Sequence, residues 1–406
     1  MQKETDYKAN TMVMSMDGYT NLVGSEDGKN IFWTDDVNVE LPIRMPSTGI
    51  GSRLQPATIS THIKRIANER QNLPALKVQR NNQEYVWSWN QYYREIRAFA
   101  KGLRKVGVDQ RKSVNIMGFN SPEWAVAFFG AIAHNNVVSG VYITNGAEAC
   151  LYQAQHSEAQ ALVVDTAEQL SLYMSIIDKL PEVKAVICWG AAKIPEAYAK
   201  DSRVFLWKDF LRLGDDVPEK ELDAIMDSQK PGQCAVLVYT SGTTGNPKGV
   251  MISHDNIIFG NMVIIERLAQ STPPELFPDF KDVKVVSYLP LSHVAGMQFD
   301  LIGNILFGGQ IYFAKPDALQ GTLVETLQWC RPSIFLAVPR VWEKFEDKLK
   351  EIAASKPALL QTLSGWAKGH GYEKVINQSK GSEPGTMYGI ANFIVLKRIK
   401  QAIGLD

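Results

Sequence analysis

From Trp89 onward the chain alternates short, β-rich apolar runs with amphipathic stretches of ten or more residues. That alternation confines it to crossover units around a mostly parallel sheet. Ile96, Ala100 and Leu103 recur at spacings of three or four, with Asn90 as the expected cap and Gly107 as the stop, which predicts a helix. A strand at Ser113 to Met117 follows, then a helix from Pro122 to His134, a strand at Val137 to Ile143, a helix near Glu148, and strands at Ala161 to Val164 and Val183 to Trp189.

After the turn Lys230-Pro231-Gly232 a second run of the same kind begins, with strands expected at Ala235 to Tyr239, Val283 to Leu289, Gln310 to Phe313 and Ile334 to Val338. The helix after Val338 places Val341, Phe345, Leu349 and Ile352 on one face. The expectation is an α/β protein with two lobes: residues 1–58 as an irregular extension of scattered Gly, Asp and Pro, 59–230 as the first lobe, and 231–406 as the second. Ser271-Thr272-Pro273-Pro274 and Lys380 to Gly385 read as loops, and a last helix is expected at Ile390 to Ala402. No period of 20 to 50 residues points to a solenoid.

Charge and cysteine usage narrow the function classes. With 43 basic and 43 acidic residues the chain has no net charge to favour nucleic acid or a strongly anionic partner. Cys150, Cys188, Cys234 and Cys330 lie far apart without metal-ligand spacing, so reduced, buried thiols are expected rather than a zinc site or disulfides. The polar start Met1 to Asp6 does not resemble a secretory signal, so an intracellular protein is expected. The most apolar run, Trp124 to Ala133, is about half the ~20 residues a membrane span needs, so a buried helix is expected there.

The most informative segment is Tyr239-Thr240-Ser241-Gly242-Thr243-Thr244-Gly245-Asn246-Pro247-Lys248-Gly249, directly after the apolar run Cys234 to Val238. A polyphosphate needs converging donors: Gly lets backbone N–H groups approach, Ser and Thr add hydroxyls, and Lys248 adds positive charge. The nucleoside-triphosphatase P-loop requires Gly-x-x-x-x-Gly-Lys-Ser/Thr opening a helix. Here Gly242 and Gly245 are three apart, and Lys248-Gly249 leads into β-like Val250-Met251-Ile252, which disfavours a P-loop phosphohydrolase. Composition alone slightly favours a plain Gly/Ser/Thr surface turn.

With Val250-Met251-Ile252-Ser253-His254 behind it, this segment resembles the signature of the superfamily of acyl-CoA synthetases, luciferases and peptide-synthetase adenylation domains. The resemblance implies that Thr240, Ser241, Gly242, Thr243, Thr244, Gly245, Asn246, Pro247 and Lys248 hold the β- and γ-phosphates of ATP. One hydroxyl among Thr240, Ser241 and Thr243 would approach Mg²⁺, and Thr243 is taken as that ligand. A second family element, Ser287 to Ala295, implies that His293 lies at the acyl and adenylate pocket, against the alternative of a satisfied loop histidine. Arg340, in Val338-Pro339-Arg340-Val341-Trp342-Glu343, is read as packing at a strand-to-helix turn, with a phosphate or CoA contact as the alternative.

Within that superfamily the chain is similar to the bubblegum group of fatty acid:CoA ligases through Phe32-Trp33-Thr34, Trp89 to Tyr93, Gly118 to Trp124 and Gln233 to Leu237, whose aromatic residues are expected in the core. The implied fold is two stacked, mostly parallel-sheet lobes, truncated and without the small C-terminal domain of relatives. The implied reaction activates a long-chain or very-long-chain fatty acid with ATP and Mg²⁺, then transfers the acyl group to CoA. A carboxylate is already ionised at neutral pH, so the first step needs positioning and charge stabilisation rather than a general base.

Relatives carry further motifs downstream: a Tyr-Gly-x-Ser/Thr-Glu segment supplying a Mg²⁺ ligand, a Thr-Gly-Asp for the ribose, and a catalytic Lys in the small domain. None is found after Arg340, so the chain is expected to be the N-terminal part of a ligase, with an incomplete second lobe. The alternative is a shortened, non-catalytic module that binds nucleotide or fatty acid. A cytoplasmic location with peripheral contact to intracellular membranes is the expectation for a lipid-handling enzyme of this kind.

Overall fold

The computed structural model describes residues 19–23, 33–49, 51–240, 246–271, 283–383 and 385–405. Its strands are β1 (Tyr19–Val23), β2 (Ile43–Pro46), β3 (Pro74–Arg80), β4 (Gln83–Ser88), β5 (Ser113–Met117), β6 (Val137–Val141), β7 (Ala159–Val164), β8 (Ala185–Cys188), β9 (Val204–Leu206), β10 (Cys234–Thr240), β11 (Lys248–Ser253), β12 (Lys284–Ser287) and β13 (Gln310–Phe313). Four helices frame the site: α1 (Ile59–Arg70), α2 (Trp89–Lys105), α3 (Pro122–Ala133) and α4 (Ala147–His156).

A seven-stranded sheet runs in the order β11-β10-β6-β5-β7-β8-β9, parallel throughout except that β11 returns antiparallel along β10. A four-stranded sheet runs β12-β13-β3-β4, with only β4 antiparallel. β5, β6 and β7 are buried at every position, and the polar side chains they carry are hydrogen-bonded there: Ser113 with Asn115, Ser139 with Gln153 and Gln160 with Asp109. α3 is likewise buried along its whole length, and its start is set by Ser121, whose Oγ accepts the Trp124 N–H at 3.1 Å, and by Pro122 in the first turn. One continuous core cluster takes in Leu76, Trp89, Phe99, Val114, Trp124 and Val285, so the two sheets share their packing through α1, α2 and α3.

Chain order and sheet membership are interleaved. β3 and β4 precede residue 231 yet lie in the four-stranded sheet, while β10 and β11 follow it yet lie in the seven-stranded one. The β3–β4 hairpin turns on Asn81 and Asn82, both left-handed at φ 51° and 61°, the conformation a two-residue hairpin loop requires and that asparagine tolerates.

Several local expectations are corrected. The cap of α2 is Ser88 rather than Asn90: Ser88 Oγ accepts the Gln91 N–H at 3.2 Å and Gln91 Oε1 accepts the Ser88 N–H at 2.8 Å. Residues 1–58 are not without strands, since β1 and β2 pair antiparallel. Residues 334–338 form no strand. Tyr288 Oη donates to the Leu336 carbonyl at 2.9 Å, taking an acceptor a ladder would use, and Val338 is already the cap of the helix Pro339–Ala354. Trp33 is 74% exposed rather than part of the core, whereas Trp89, Tyr92 and Trp124 are buried as expected. The loop expected at Ser271 to Pro274 lies, from Thr272 on, outside the described residues, as does Phe32.

The last helix runs from Thr386 to Ile403 through a π-helical segment, Asn392–Leu396, and stops at Gly404. Gly404 has φ +74°, and a Cβ there would fall 2.4 Å from the Leu327 backbone, so only glycine fits. All four cysteines are free and buried. No helix among the described residues is long and apolar enough to cross a membrane.

Candidate functional site

β10 is buried from Cys234 to Tyr239 and surfaces at Thr240. β11 then returns in register, pairing Tyr239 with Gly249 and Thr240 with Lys248. Directly paired residues of an antiparallel ladder project from the same face. Thr240 and Lys248 therefore leave the same face of the ladder at the carboxyl end of a parallel strand, the edge at which open α/β sheets hold ligands. Thr240, Asn246, Pro247 and Lys248 are all exposed, and no carboxylate among the described residues pairs with Lys248. Ser241, Gly242, Thr243, Thr244 and Gly245 lie outside the described residues.

The loop end of this hairpin is held by two residues that the sequence did not single out. Tyr152 Oη donates to the Pro247 carbonyl at 3.0 Å, and His156 Nδ1 and Tyr239 Oη are hydrogen-bonded at 2.8 Å. Both belong to α4, one turn apart; the available signal was an aromatic pair at i and i+4 on the helix near Glu148.

His293 reaches the same part of the molecule from the other sheet. The chain leaving β12 is tied down by Asn120, which follows β5: Asn120 Nδ2 donates to Ser287 Oγ at 2.9 Å and to the Leu289 carbonyl at 2.8 Å, and Asn120 Oδ1 accepts the Leu291 N–H at 3.3 Å. Ser292 then lies against Gly140 of β6, where a Cβ would come within 2.6 Å of the Ser292 Cα. The segment bearing His293 thus crosses the strand beside β10. No hydrogen bond joins His293 to Thr240 or Lys248 among the described residues.

His293 is exposed, and its Nδ1 accepts the Ala295 N–H at 3.1 Å as the cap of the helix that follows. That bond fixes the tautomer of the neutral ring: the proton sits on Nε2, which is free to donate outward. Beyond this cap the helix widens into a π segment, Met297–Ile302, before closing as Gly303–Phe307. Asp300 lies in the π segment, buried with its Oδ2 unpartnered, and desolvation pushes its carboxyl up to about 8, opposed only in part by the nearby Ser287 hydroxyl. Ser287 therefore stands between Asp300 and Asn120, below the His293 segment.

The helical run after His293 also lines a narrow apolar cleft of about 30 Å³ with Ile264, Ile265, Leu268, Phe299 and Phe307. Asn304 sits in its lining with neither amide nitrogen nor oxygen hydrogen-bonded. Arg340 is not packed at its turn. Its side chain is exposed and donates to Glu343 Oε2 at 2.8 Å, one helical turn on. No cluster of three or more His, Cys, Asp or Glu side chains that could hold a metal ion occurs among the described residues.

Residues 63–374 match the family described as AMP-binding enzyme. The long-chain-fatty-acid–CoA ligase ACSBG2 of Xenopus laevis is 41% identical over 380 residues, covering 92% of this chain and 49% of its own length. The ligase of the same name from Gallus gallus is 40% identical over 389 residues, covering 95% and 50% respectively. The chain thus spans about half the length of the curated relatives it matches. Among solved structures, the A domain of carboxylic acid reductase from Segniliparus rugosus, in complex with AMP and a co-purified carboxylic acid, superposes with a TM-score of 0.63 at 18% identity, over 77% of this chain and 54% of that one. The anthranilate CoA ligase AuaEII with anthranoyl-AMP gives 0.57 at 20% identity, over 71% and 51%. Two mostly parallel sheets of this kind are the architecture these proteins share.

Proposed function

The chain belongs to the AMP-binding enzyme family, and from that premise we propose that it is the nucleotide-binding part of a ligase that activates long-chain fatty acids and passes them to CoA. The fatty acid carboxylate attacks the α-phosphorus of ATP, pyrophosphate leaves, and the CoA thiol then displaces AMP from the acyl-adenylate. The observation that carries this reading is the pairing of Thr240 with Lys248: a hydroxyl-bearing and an ammonium-bearing residue in direct register, both exposed, at the carboxyl end of a parallel strand.

In this reading Lys248 stabilises the charge that develops on the departing pyrophosphate, and Thr240 to Lys248 hold the β- and γ-phosphates. His293 donates from Nε2 to an oxygen of the reacting carboxylate, its ring oriented by the Ala295 N–H. A long-chain acyl group as the substrate accords with the naming of the relatives as long-chain ligases. The described side chains fit an anionic phosphate better than a bare cation, so Mg²⁺ would arrive with ATP, neutralising its phosphates, with Thr243 as the proposed protein ligand. The proposed location is the cytoplasm, with peripheral contact to the membranes that supply fatty acid.

The test is pyrophosphate release by the purified chain with ATP, Mg²⁺ and a long-chain fatty acid. Release that requires the fatty acid and is lost in Lys248→Ala supports the reading. Release of phosphate with ADP in place of pyrophosphate would overturn it.

A further inference from the structure

Lys248 begins β11, and among the described residues β11 is an edge strand with a single neighbour, the arrangement most prone to fraying at its ends. A phosphate site built on Thr240 and Lys248 therefore needs something besides the ladder to keep the two residues in register. α4 provides it. Tyr239, immediately before Thr240, is hydrogen-bonded through its hydroxyl to His156 Nδ1 at 2.8 Å, and the carbonyl of Pro247, immediately before Lys248, accepts the Tyr152 hydroxyl at 3.0 Å.

The three rings form one contiguous cluster. Tyr152 and His156 lie 5.4 Å apart with an interplanar angle of 28°, and His156 meets Tyr239 edge-on at 5.7 Å and 77°. Gly249 also lies close to the Tyr239 ring: a Cβ there would fall 3.2 Å from Cζ. The helix is itself anchored. Gln153, between the two aromatic residues, donates from Nε2 to Ser139 Oγ and to the Gly140 carbonyl of β6, both at 2.9 Å, and β6 is the parallel neighbour of β10.

We infer that Tyr152 and His156 are positioning residues that hold the two arms of the β10–β11 hairpin together, so that Thr240 and Lys248 present to one phosphate group. This rests on the nucleotide reading of the hairpin. Neither residue touches the phosphate in this scheme. Tyr152 acts through the backbone of Pro247, and His156 through the side chain of Tyr239. Because both are only partly buried, or exposed, their replacement leaves the core intact.

The experiment compares the full chain with Tyr152→Phe, His156→Ala and His156→Asn. Asn retains a hydrogen-bonding atom at the position of Nδ1. Two quantities are read on each: the dissociation constant for MgATP by calorimetry, and the rate at which trypsin releases the peptide ending at Lys248, with the thermal unfolding midpoint as a check on folding. Tyr152→Phe and His156→Ala are expected to weaken MgATP binding about tenfold and to speed cleavage after Lys248 severalfold at an unchanged midpoint, while His156→Asn stays near the parent in both. Unchanged binding, or weakened binding without faster cleavage, overturns the inference. A parent chain that folds but does not bind MgATP counts against the nucleotide reading instead, and the cleavage rates then decide alone whether α4 holds the hairpin.

Discussion

Asn120 Nδ2 donates to Ser287 Oγ at 2.9 Å, a bond that joins the loop after β5 in the seven-stranded sheet to the end of β12 in the four-stranded one. The same side chain also serves the Leu289 carbonyl and the Leu291 N–H. Removing it strands buried backbone groups, each worth about 1–3 kcal/mol when left unsatisfied. Asn120→Ala is expected to lower the unfolding free energy by roughly 2–4 kcal/mol in urea titrations. A change below ~0.5 kcal/mol, the range of ordinary surface substitutions, would show that Asn120 does not join the sheets in solution.

His293 has two separable roles, capping the helix that follows and donating from Nε2. Asparagine is as good a cap but lacks the second nitrogen. His293→Asn should keep its stability within about 0.5 kcal/mol of the parent while losing most fatty-acid-dependent pyrophosphate release. Full release from His293→Asn would reduce His293 to a cap.

The buried carboxyl of Asp300, pushed up to about 8, sets a pH dependence of stability. In the unfolded chain an aspartate titrates near ~4, so between that value and about 8 the native state keeps a proton that the unfolded state has lost. Its contribution is complete below the unfolded value and is lost as pH rises through this window. Asp300→Asn, which mimics the protonated acid, should gain stability relative to the parent progressively from pH 5 to pH 8 in urea titrations. A difference that is the same at both ends would contradict a raised Asp300.

The parts of the fold legible in the sequence are those decided by local pattern. β5 and β13 have the bounds their apolar runs suggest, and Ser121-Pro122 marks the start of α3. Sheet membership was not legible, because it rests on pairings such as Ile311 with Leu76 that join distant parts of the chain. The β3–β4 hairpin escaped because Gln83–Ser88 is largely exposed, with no apolar face to set a period. Thr240 and Lys248 announced themselves by residue type in a Gly-rich segment. Tyr152, His156 and Asn120 did not, since an isolated tyrosine, histidine or asparagine carries no signal until the fold supplies its partner.

The central claim is that Thr240 and Lys248 meet a nucleotide phosphate, and calorimetric titration of the 406-residue chain with MgATP tests it most directly. One charge-assisted contact contributes about 1.5–3 kcal/mol, so Lys248→Ala should weaken binding roughly 10- to 100-fold. Its unfolding midpoint should match the parent's, because Lys248 is exposed. Equal affinity in the parent and Lys248→Ala, or no binding by a folded parent, would contradict the account.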